Sequence, residues 1–176
     1  LYMFRPANAD LAPERLWNYE LSLRQRLLDG HLGYGLNVFY LNAENLITTQ
    51  MTNGRPLNVN TGSTENSGFE FLAFYVPMRH LRLDANYSFL HTSRTLTAAP
   101  KHKLFMGADW QTGCFTLHSG LQWIDGLHTA DNSPKTENSW LWDLTASLRI
   151  SKALKVFVHG ENLLAQHYEV NAGFPM

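Results

Sequence analysis

The sequence of 176 residues predicts an all-β chain, an antiparallel up-and-down meander of about eight strands. Apolar and polar residues alternate with a period of two along most of the chain, which gives each predicted strand one apolar and one polar face. Short turns and long polar loops alternate between these segments. No apolar run approaches the roughly 18 residues that a membrane-spanning helix needs.

Eight segments carry the alternation, which predicts strands of roughly 9 to 13 residues. In chain order they are 19–27, 32–40, 69–75, 81–89, 104–110, 115–123, 140–148 and 154–162. In the fourth segment, for example, Leu81, Leu83 and Ala85 alternate with Arg82 and Asp84. We therefore expect these segments to be half-buried strands rather than helices.

The connections between the strands differ in length and composition. Residues suited to tight turns occur at 28–31, 76–80, 111–113 and 150–153, and long polar loops are predicted at 48–67, 92–101 and 125–138. Strands with one apolar face, joined by short turns at one end and long loops at the other, are typical of outer-membrane β-barrels. In such a barrel the apolar face contacts lipid, and the strands pair around a closed circle because lipid offers no hydrogen-bond partner.

The two predicted faces follow from the alternation. Leu21, Leu36, Leu83, Leu117 and Leu144 are expected to share the outer face, and Glu20, Arg82, Asp84, Thr116 and Asp143 the inner one. Further charged residues expected on the inner face are Arg24, Arg26, Arg149, Lys155, His159 and Glu161. Such an inner face suits a wet or plugged lumen.

Aromatic residues gather near both ends of the predicted strands. Those expected to form interfacial girdles are Tyr40, Phe89, Trp123, Trp140 and Trp142 near the long loops, and Tyr75 and Trp110 near the short turns.

The net charge and the motifs of the sequence argue against several classes of function. A formal net charge of −1 gives no electrostatic footprint for nucleic acid. The candidate ligand-binding residues lie in predicted external loops and are His91, Arg94, His128 and Asp131. In addition, His91 and His102 flank one loop and are able to approach each other. Because no metal-ligand spacing accompanies these histidines, we expect no metal and no cofactor.

The sequence motif of a catalytic nucleophile does not accompany His159 and Glu161. Among the classes of function, an enzyme is therefore the least expected.

Several stretches resemble TonB-dependent outer-membrane receptors. They are Leu11-Ala12-Pro13-Glu14 before Asn18-Tyr19-Glu20, Asn60-Thr61-Gly62 before Ser67-Gly68-Phe69-Glu70, Pro100-Lys101-His102-Lys103, Asn162-Leu163-Leu164, His167-Tyr168-Glu169 and Gly173-Phe174-Pro175. The resemblance implies a barrel of roughly 22 strands in the outer membrane of a Gram-negative bacterium, of which this chain supplies late ones. It also implies uptake of a scarce small-molecule ligand of the siderophore-iron, haem, cobalamin or glycan class, and as partners outer-membrane lipid, the receptor's own plug domain and TonB, the last two through an N-terminal part.

The order of short and long connections predicts where the chain ends lie. The first connection is the short turn 28–31, so the first strand descends from the long-loop side and both 1–15 and 162–176 are external. We therefore expect residues 1–176 to be a fragment of one barrel domain without its plug, and either an open sheet or one closed by its two edge strands. A self-contained eight-stranded outer-membrane protein of structural or adhesive type, and a soluble β-barrel that binds a ligand, remain as alternatives.

Overall fold

The computed structural model describes residues 8–130 and 136–176. Its strands are β1 (Arg15–Leu27), β2 (Leu32–Glu44), β3 (Ile47–Thr52), β4 (Arg55–Asn60), β5 (Thr64–Met78), β6 (Leu81–Thr92), β7 (His102–Thr112), β8 (Phe115–His128), β9 (Thr136–Arg149), β10 (Lys155–Gly160), β11 (Glu169–Asn171) and β12 (Phe174–Pro175). A short 3-10 turn at Leu28–Gly30 is the one helical element within the described part of the chain.

The strands form one large antiparallel sheet with the order β1-β2-β5-β6-β7-β8-β9-β10. Two small hairpins, β3–β4 and β11–β12, lie outside it. Each strand of the large sheet pairs with the next one along the chain, apart from the β3–β4 hairpin inserted between β2 and β5. The predicted all-β meander of eight strands is confirmed. A single parallel bridge joins Thr97 and His128 outside the paired strands.

The pairing register confirms the two predicted faces. Residues directly opposite each other across an antiparallel pair point to the same side of the sheet. The pairs Leu21↔Val38, Leu36↔Phe71, Leu83↔Ala108 and Ser119↔Leu144 connect the predicted outer residues through one continuous surface, which we call the apolar face. The pairs Glu20↔Phe39, Arg82↔Asp109, Thr116↔Ser147 and Gly120↔Asp143 lie on the opposite surface, the polar face.

The apolar face is not covered by any other described part of the chain. Ala43 and Leu127 are the buried hydrophobic residues among those described, whereas Leu21 is 76% exposed and Val158 is 75% exposed. In the soluble-barrel alternative this face would be the core, so the exposure argues against that alternative. No helix in the described ranges is both long and apolar enough to cross a membrane.

The sheet is open. β1 pairs only with β2, and β10 only with β9, so the outer edge of each strand has no partner strand in the described chain. Every residue of β1 is exposed. An eight-stranded self-contained barrel would pair these two edges, and the structure therefore contradicts that alternative.

The second connection differs from its prediction. The segment 48–67 was expected to be a long loop, but it contains most of the β3–β4 hairpin and the start of β5. Asn53 and Gly54 form the hairpin turn with φ values of 52° and 73°, and a two-residue turn of this kind requires positive φ at both positions. The Asn53-Gly54 dipeptide is the sequence signal for this hairpin turn.

The loop between β8 and β9 is also shorter than predicted. Instead of spanning 125–138, it connects His128 to Thr136 because both strands extend beyond their alternating segments. The shift of register between Ile124 and Leu127 marks a β-bulge that accompanies this extension. In contrast, β10 stops at Gly160, and the small β11–β12 hairpin follows it where only an external segment was expected.

The described chain ends lie where the order of the connections predicted. The backbone N–H of Met176 donates to the Tyr168 carbonyl, and the N–H of Ala172 donates to the Thr129 carbonyl beyond β8. Asn8 donates through Nδ2 to the carbonyl of Asn58 in β4. All of these contacts are at the long-loop end of the sheet. Leu1, for which the same side was predicted, lies outside the described residues.

Aromatic rings cover glycines on the polar face. The Phe39 ring lies over Gly68 on the neighbouring strand, where a Cβ atom would sit 2.8 Å from Cζ of that ring and would collide with the Phe89 carbonyl oxygen. The Phe105 ring lies over Gly107 and Gly120, with corresponding distances of 3.1 and 3.2 Å. Rings that cover strand glycines restore packing that glycine alone cannot provide.

We predict that Gly68→Ala destabilises the folded barrel by about 1–3 kcal/mol, since the added methyl group collides with a backbone oxygen that cannot move without disturbing β6. The measurement is urea unfolding of the complete receptor in detergent. Unfolding is detected as the loss of heat-modifiable mobility in SDS gels.

Gly35→Ala is the matched control for this experiment. Its Cβ would meet the side chains of Leu72 and Arg24 at 3.3 and 3.4 Å, and both can shift. Equal stability of the two variants would contradict the packing described for Gly68.

Candidate functional site

The loops at the long-loop end surround a pocket of about 320 Å³, which we call the loop-side pocket. Its lining comes from the end of β6, the β6–β7 loop, the end of β8 and the start of β9. The residues with ionisable side chains that line it are His91, Arg94, Lys101 and His128, and those with hydroxyl groups are Thr92, Ser93, Thr95 and Thr136.

Arg94 is held in place by residues of the connection between β4 and β5. Its Nη2 donates to the Thr61 carbonyl at 2.9 Å, and its own carbonyl accepts a hydrogen bond of 2.7 Å from the Thr92 hydroxyl. Gly62 lies against the guanidinium with φ of +99°, and a Cβ there would be 3.0 Å from Nη2. The Asn60-Thr61-Gly62 stretch noted in the sequence therefore supports the position of Arg94.

Lys101 occupies the opposite part of the loop. Gly126 has φ of +69°, and a Cβ on it would come within 2.7 Å of the Lys101 Cβ. The Lys101 carbonyl accepts a hydrogen bond of 2.9 Å from the Leu90 N–H. Its ammonium nitrogen lies 6.0 Å from the centre of the Phe89 ring. The stem of Lys101 thus borders the pocket while its charge lies toward the apolar face.

Backbone hydrogen bonds join the loops to one another. The Ala98 N–H donates to the His128 carbonyl at 3.0 Å, and the Ser93 N–H donates to the Glu65 carbonyl at 2.8 Å. The Glu65 N–H donates in turn to the Ser93 hydroxyl at 2.8 Å. The β6–β7 loop is therefore fixed at both ends, and the pocket is formed by the chain in a defined conformation.

The structure brings together three of the four predicted ligand-binding residues. His91, Arg94 and His128 all line the loop-side pocket, and Asp131 lies outside the described residues. Lys101 was missed as a lining residue, although its place beside Pro100 at the end of the predicted loop was visible in the sequence. His102 is not part of the pocket.

His102 belongs instead to an aromatic row on the apolar face. Its ring lies 5.2 Å from Phe89 and 5.9 Å from Trp123, measured between ring centres, and its Nδ1 is 2.7 Å from the Tyr87 hydroxyl. Trp123 stacks in turn on Trp140 at 5.9 Å. This arrangement explains why the two histidines that flank the loop do not form a joint site.

The aromatic residues predicted as girdles lie on the apolar face. Tyr40 packs 6.5 Å from Tyr19, and Trp142 donates through Nε1 to the Ser119 hydroxyl at 2.9 Å. At the short-turn end, Trp110 contacts Phe115 edge-to-face at 6.1 Å. Aromatic pairs of this kind stabilise a sheet by about 0.5–1.5 kcal/mol beyond their buried area.

Charged side chains on the polar face form local pairs. Arg82 binds both carboxylate oxygens of Asp84 and lies 4.6 Å above the Phe74 ring. His118 contacts the Asp109 carboxylate at 2.6 Å. Exposed pairs such as these contribute little, about 0–1 kcal/mol each.

A third group on the polar face joins Thr145, His159 and Glu161. The Thr145 hydroxyl is 2.7 Å from His159 Nδ1, and His159 Nε2 is 2.9 Å from the Glu161 carboxylate. The order hydroxyl, imidazole, carboxylate resembles a hydrolase triad, but His159 and Glu161 are exposed and Thr145 is partly exposed, whereas such a triad acts in a site that excludes water. The described residues contain no cluster of three or more His, Cys, Asp or Glu able to hold a metal ion.

Comparison with solved structures relates this fold to large outer-membrane receptors. The ferric-catecholate import receptor Fiu from E. coli K12 matches with a TM-score of 0.70 and 17% identity, over 93% of this chain and 25% of that one. FpvA from P. aeruginosa, solved with bound pyoverdine and iron, matches with a TM-score of 0.72 and 22% identity over 93% and 25%.

The copper transporter OprC matches with a TM-score of 0.74 and 15% identity, over 93% of this chain and 28% of that one. At these identities the likeness establishes the fold, and the chain spans about a quarter of the length of these receptors. A search of curated proteins finds no matching relative.

Comparison with protein families gives the assignment. Residues 1–163 match the family described as TonB dependent receptor-like, beta-barrel. This match covers more than half of the chain and agrees with the open antiparallel sheet and its two unlike faces. The chain belongs to the TonB-dependent receptor β-barrel family.

Proposed function

We propose that this chain is a segment of one β-barrel domain in an outer-membrane receptor of a Gram-negative bacterium, which takes up a scarce ligand with energy relayed by TonB. The observation that carries the proposal is the open sheet with one exposed apolar face, one charged face and unpaired edges at β1 and β10. Family membership and the solved receptors of similar fold support it.

The apolar face would lie against lipid in the complete receptor. Its exposed Leu, Val and aromatic side chains would be unfavourable in water but favourable in the hydrocarbon of a bilayer. Trp123, Trp140 and Trp142, with Tyr40 and Phe89, would lie near the headgroups on the loop side, and Trp110 near those on the turn side. The remaining barrel strands would pair with β1 and β10, which would remove the free edges.

The polar face would line the lumen around a plug domain supplied by the N-terminal part of the receptor. Three pairs on this face make hydrogen bonds between their own members, so they need no further partner from the plug. They are Arg82–Asp84, Asp109–His118 and His159–Glu161. The loop-side pocket, which includes His91, Arg94 and His128, would contact the ligand as it enters.

Several receptors of similar fold act on iron chelates, although OprC is a copper transporter. Fiu is a ferric-catecholate import receptor, FpvA was solved with bound pyoverdine and iron, and PfeA from Pseudomonas aeruginosa with enterobactin. A transported siderophore is thus the ligand class that we favour for this receptor, over haem, cobalamin and glycans.

Uptake by cells tests the proposed function directly. We expect the complete receptor, expressed in a strain that lacks its own siderophore receptors, to import radiolabelled iron from a panel of iron(III) siderophores only when TonB is functional. A matched strain without TonB is the control. Iron accumulation that is independent of TonB, or no accumulation from any member of the panel, would refute the proposal.

A charge at the centre of the apolar face tests the lipid contact. Met106 is 41% exposed on that face, halfway between Trp110 and His102 along β7. We expect Met106→Arg to destabilise the complete receptor in bilayers by about 2–4 kcal/mol, as measured by its denaturant midpoint after reconstitution.

Asn86→Arg is the matched control, since Asn86 is exposed on the polar face of the adjacent strand β6. It should change the midpoint little, because the new guanidinium would lie in an aqueous lumen. If the two variants were equally stable, the apolar face would not contact lipid.

A further inference from the structure

We propose that the turn end of the β9–β10 hairpin is a docking surface for an acidic segment of the receptor's plug domain. This inference rests on the proposed uptake function, because it specifies which part of the barrel wall holds the plug that this function requires. The observation that carries it is a pair of cations directly opposite each other on the polar face, beside an exposed aromatic ring.

The two cations are Arg149, at the end of β9, and Lys155, at the start of β10. They are direct partners in the antiparallel ladder, so their side chains point to the same side of the sheet. Like charges in this position destabilise a strand pair. Both side chains are exposed, and neither forms an ion pair with another residue in the described ranges. A carboxylate bound between them would replace this repulsion with two attractions.

The hairpin supplies no negative charge of its own to offset this pair. Residues 144–160 contain no Asp and no Glu, but they contain three permanent cations, which are Arg149, Lys152 and Lys155. Just beyond the hairpin, the Glu161 carboxylate is 2.9 Å from His159 Nε2 and is engaged there. The compensating anion therefore has to come from outside the hairpin.

Phe157 adds an apolar contact to the same surface. It lies opposite Ser147 on the polar face, two residues after Lys155, and its side chain is 70% exposed. The next strand of a complete barrel would pair with the edge of β10 and lie beside this ring, in the plane of the sheet, so it would leave the lumen-facing part of the ring uncovered. An aromatic side chain next to arginine is the composition that protein–protein hot spots favour.

The orientation of the hairpin selects the plug over lipid as the partner. Arg149, Lys155 and Phe157 point to the polar face, whereas the pair Leu148↔Val156 points to the apolar face. Lipid headgroups border the apolar face, so a lipid phosphate would approach the opposite side of the sheet. The plug fills the lumen in the proposed function, and its surface at the turn end would face these three side chains.

The turn that positions the two cations has a defined conformation. The N–H groups of Ala153 and Leu154 donate to the Ser151 hydroxyl oxygen at 3.2 and 3.1 Å, and the Ile150 N–H donates to the Leu154 carbonyl at 3.0 Å. The backbone of the surface is thus formed before the partner binds, which lowers the entropic cost of docking.

Photo-crosslinking in the complete receptor tests the inference. A benzophenone amino acid replaces Phe157, outer membranes are irradiated, and the crosslinked peptides are identified by mass spectrometry. We expect crosslinks to a plug segment that contains Asp or Glu. The same amino acid in place of Val158 is the matched control, since Val158 is the next residue but points to the apolar face and is 75% exposed. It should give no crosslink to the plug.

Charge reversal separates an electrostatic contact from proximity alone. With the benzophenone at position 157, Lys155→Glu should lower the yield of plug crosslinks about fivefold or more, because repulsion replaces attraction across the interface. Lys155→Arg should preserve the yield, and replacement of the crosslinked plug carboxylate by lysine should restore it in the Lys155→Glu receptor.

Lys103→Glu is the matched charge control, because Lys103 lies opposite Ser88 on the polar face, away from the β9–β10 hairpin. It should leave the crosslink yield within about twofold of that in the unmodified receptor. Heat-modifiable mobility in SDS gels establishes that each variant is folded.

Three results overturn the inference. They are the absence of crosslinks from position 157 to the plug, a crosslink yield that does not respond to Lys155→Glu, and an equal response to Lys103→Glu. If one of them occurred while iron uptake still depended on TonB, the docking surface would be refuted and the proposed uptake function would stand. Charge-sensitive plug crosslinks in a receptor without TonB-dependent uptake would support the docking surface and refute the proposed function alone.

Discussion

Backbone hydrogen bonding between neighbouring strands is the constraint on which the rest of this structure depends. Among the described residues the eight-stranded sheet has no second layer behind it, and its large apolar side chains remain exposed. Its order therefore comes from the hydrogen-bond ladders between strands rather than from a hydrophobic core. Two consequences follow. The outer edges of β1 and β10 require partner strands, and the apolar face requires an apolar surrounding medium.

The side chains on the two faces of this sheet pack in different ways. The apolar face carries a row of aromatic rings in contact, from Phe89 through His102 and Trp123 to Trp140. On the polar face, Phe39 and Phe105 cover glycines, and charged side chains pair locally. Burial concentrates at the loop end, where Leu127, Thr129 and Ser139 are enclosed. This enclosure provides the support that a binding loop needs.

The strands and their faces were predictable because period-two alternation is a local property that each segment shows by itself. Leu83 and Asp84, for example, already lie on opposite faces by adjacency, and the register only connects them to Ala108 and Gly107. Features that depend on tertiary contact were missed or misplaced. Lys101 borders the pocket only because Gly126 approaches it from β8, and His102 joins an aromatic row that spans the four strands β6 to β9. The β3–β4 hairpin was not predicted, although the Asn53-Gly54 dipeptide is a local signal for its turn.

Spin-label accessibility along β6 tests the central claim most directly. In the complete receptor with Cys114, an exposed free cysteine, replaced by Ser, single labels at successive positions from Leu81 to Phe89 are measured in bilayers against oxygen and a water-soluble nickel complex. The account predicts that odd-numbered positions are accessible to oxygen in lipid and even-numbered positions to nickel in the lumen. The reverse phase, or no alternation with a period of two, would contradict a sheet whose apolar face lies against the membrane.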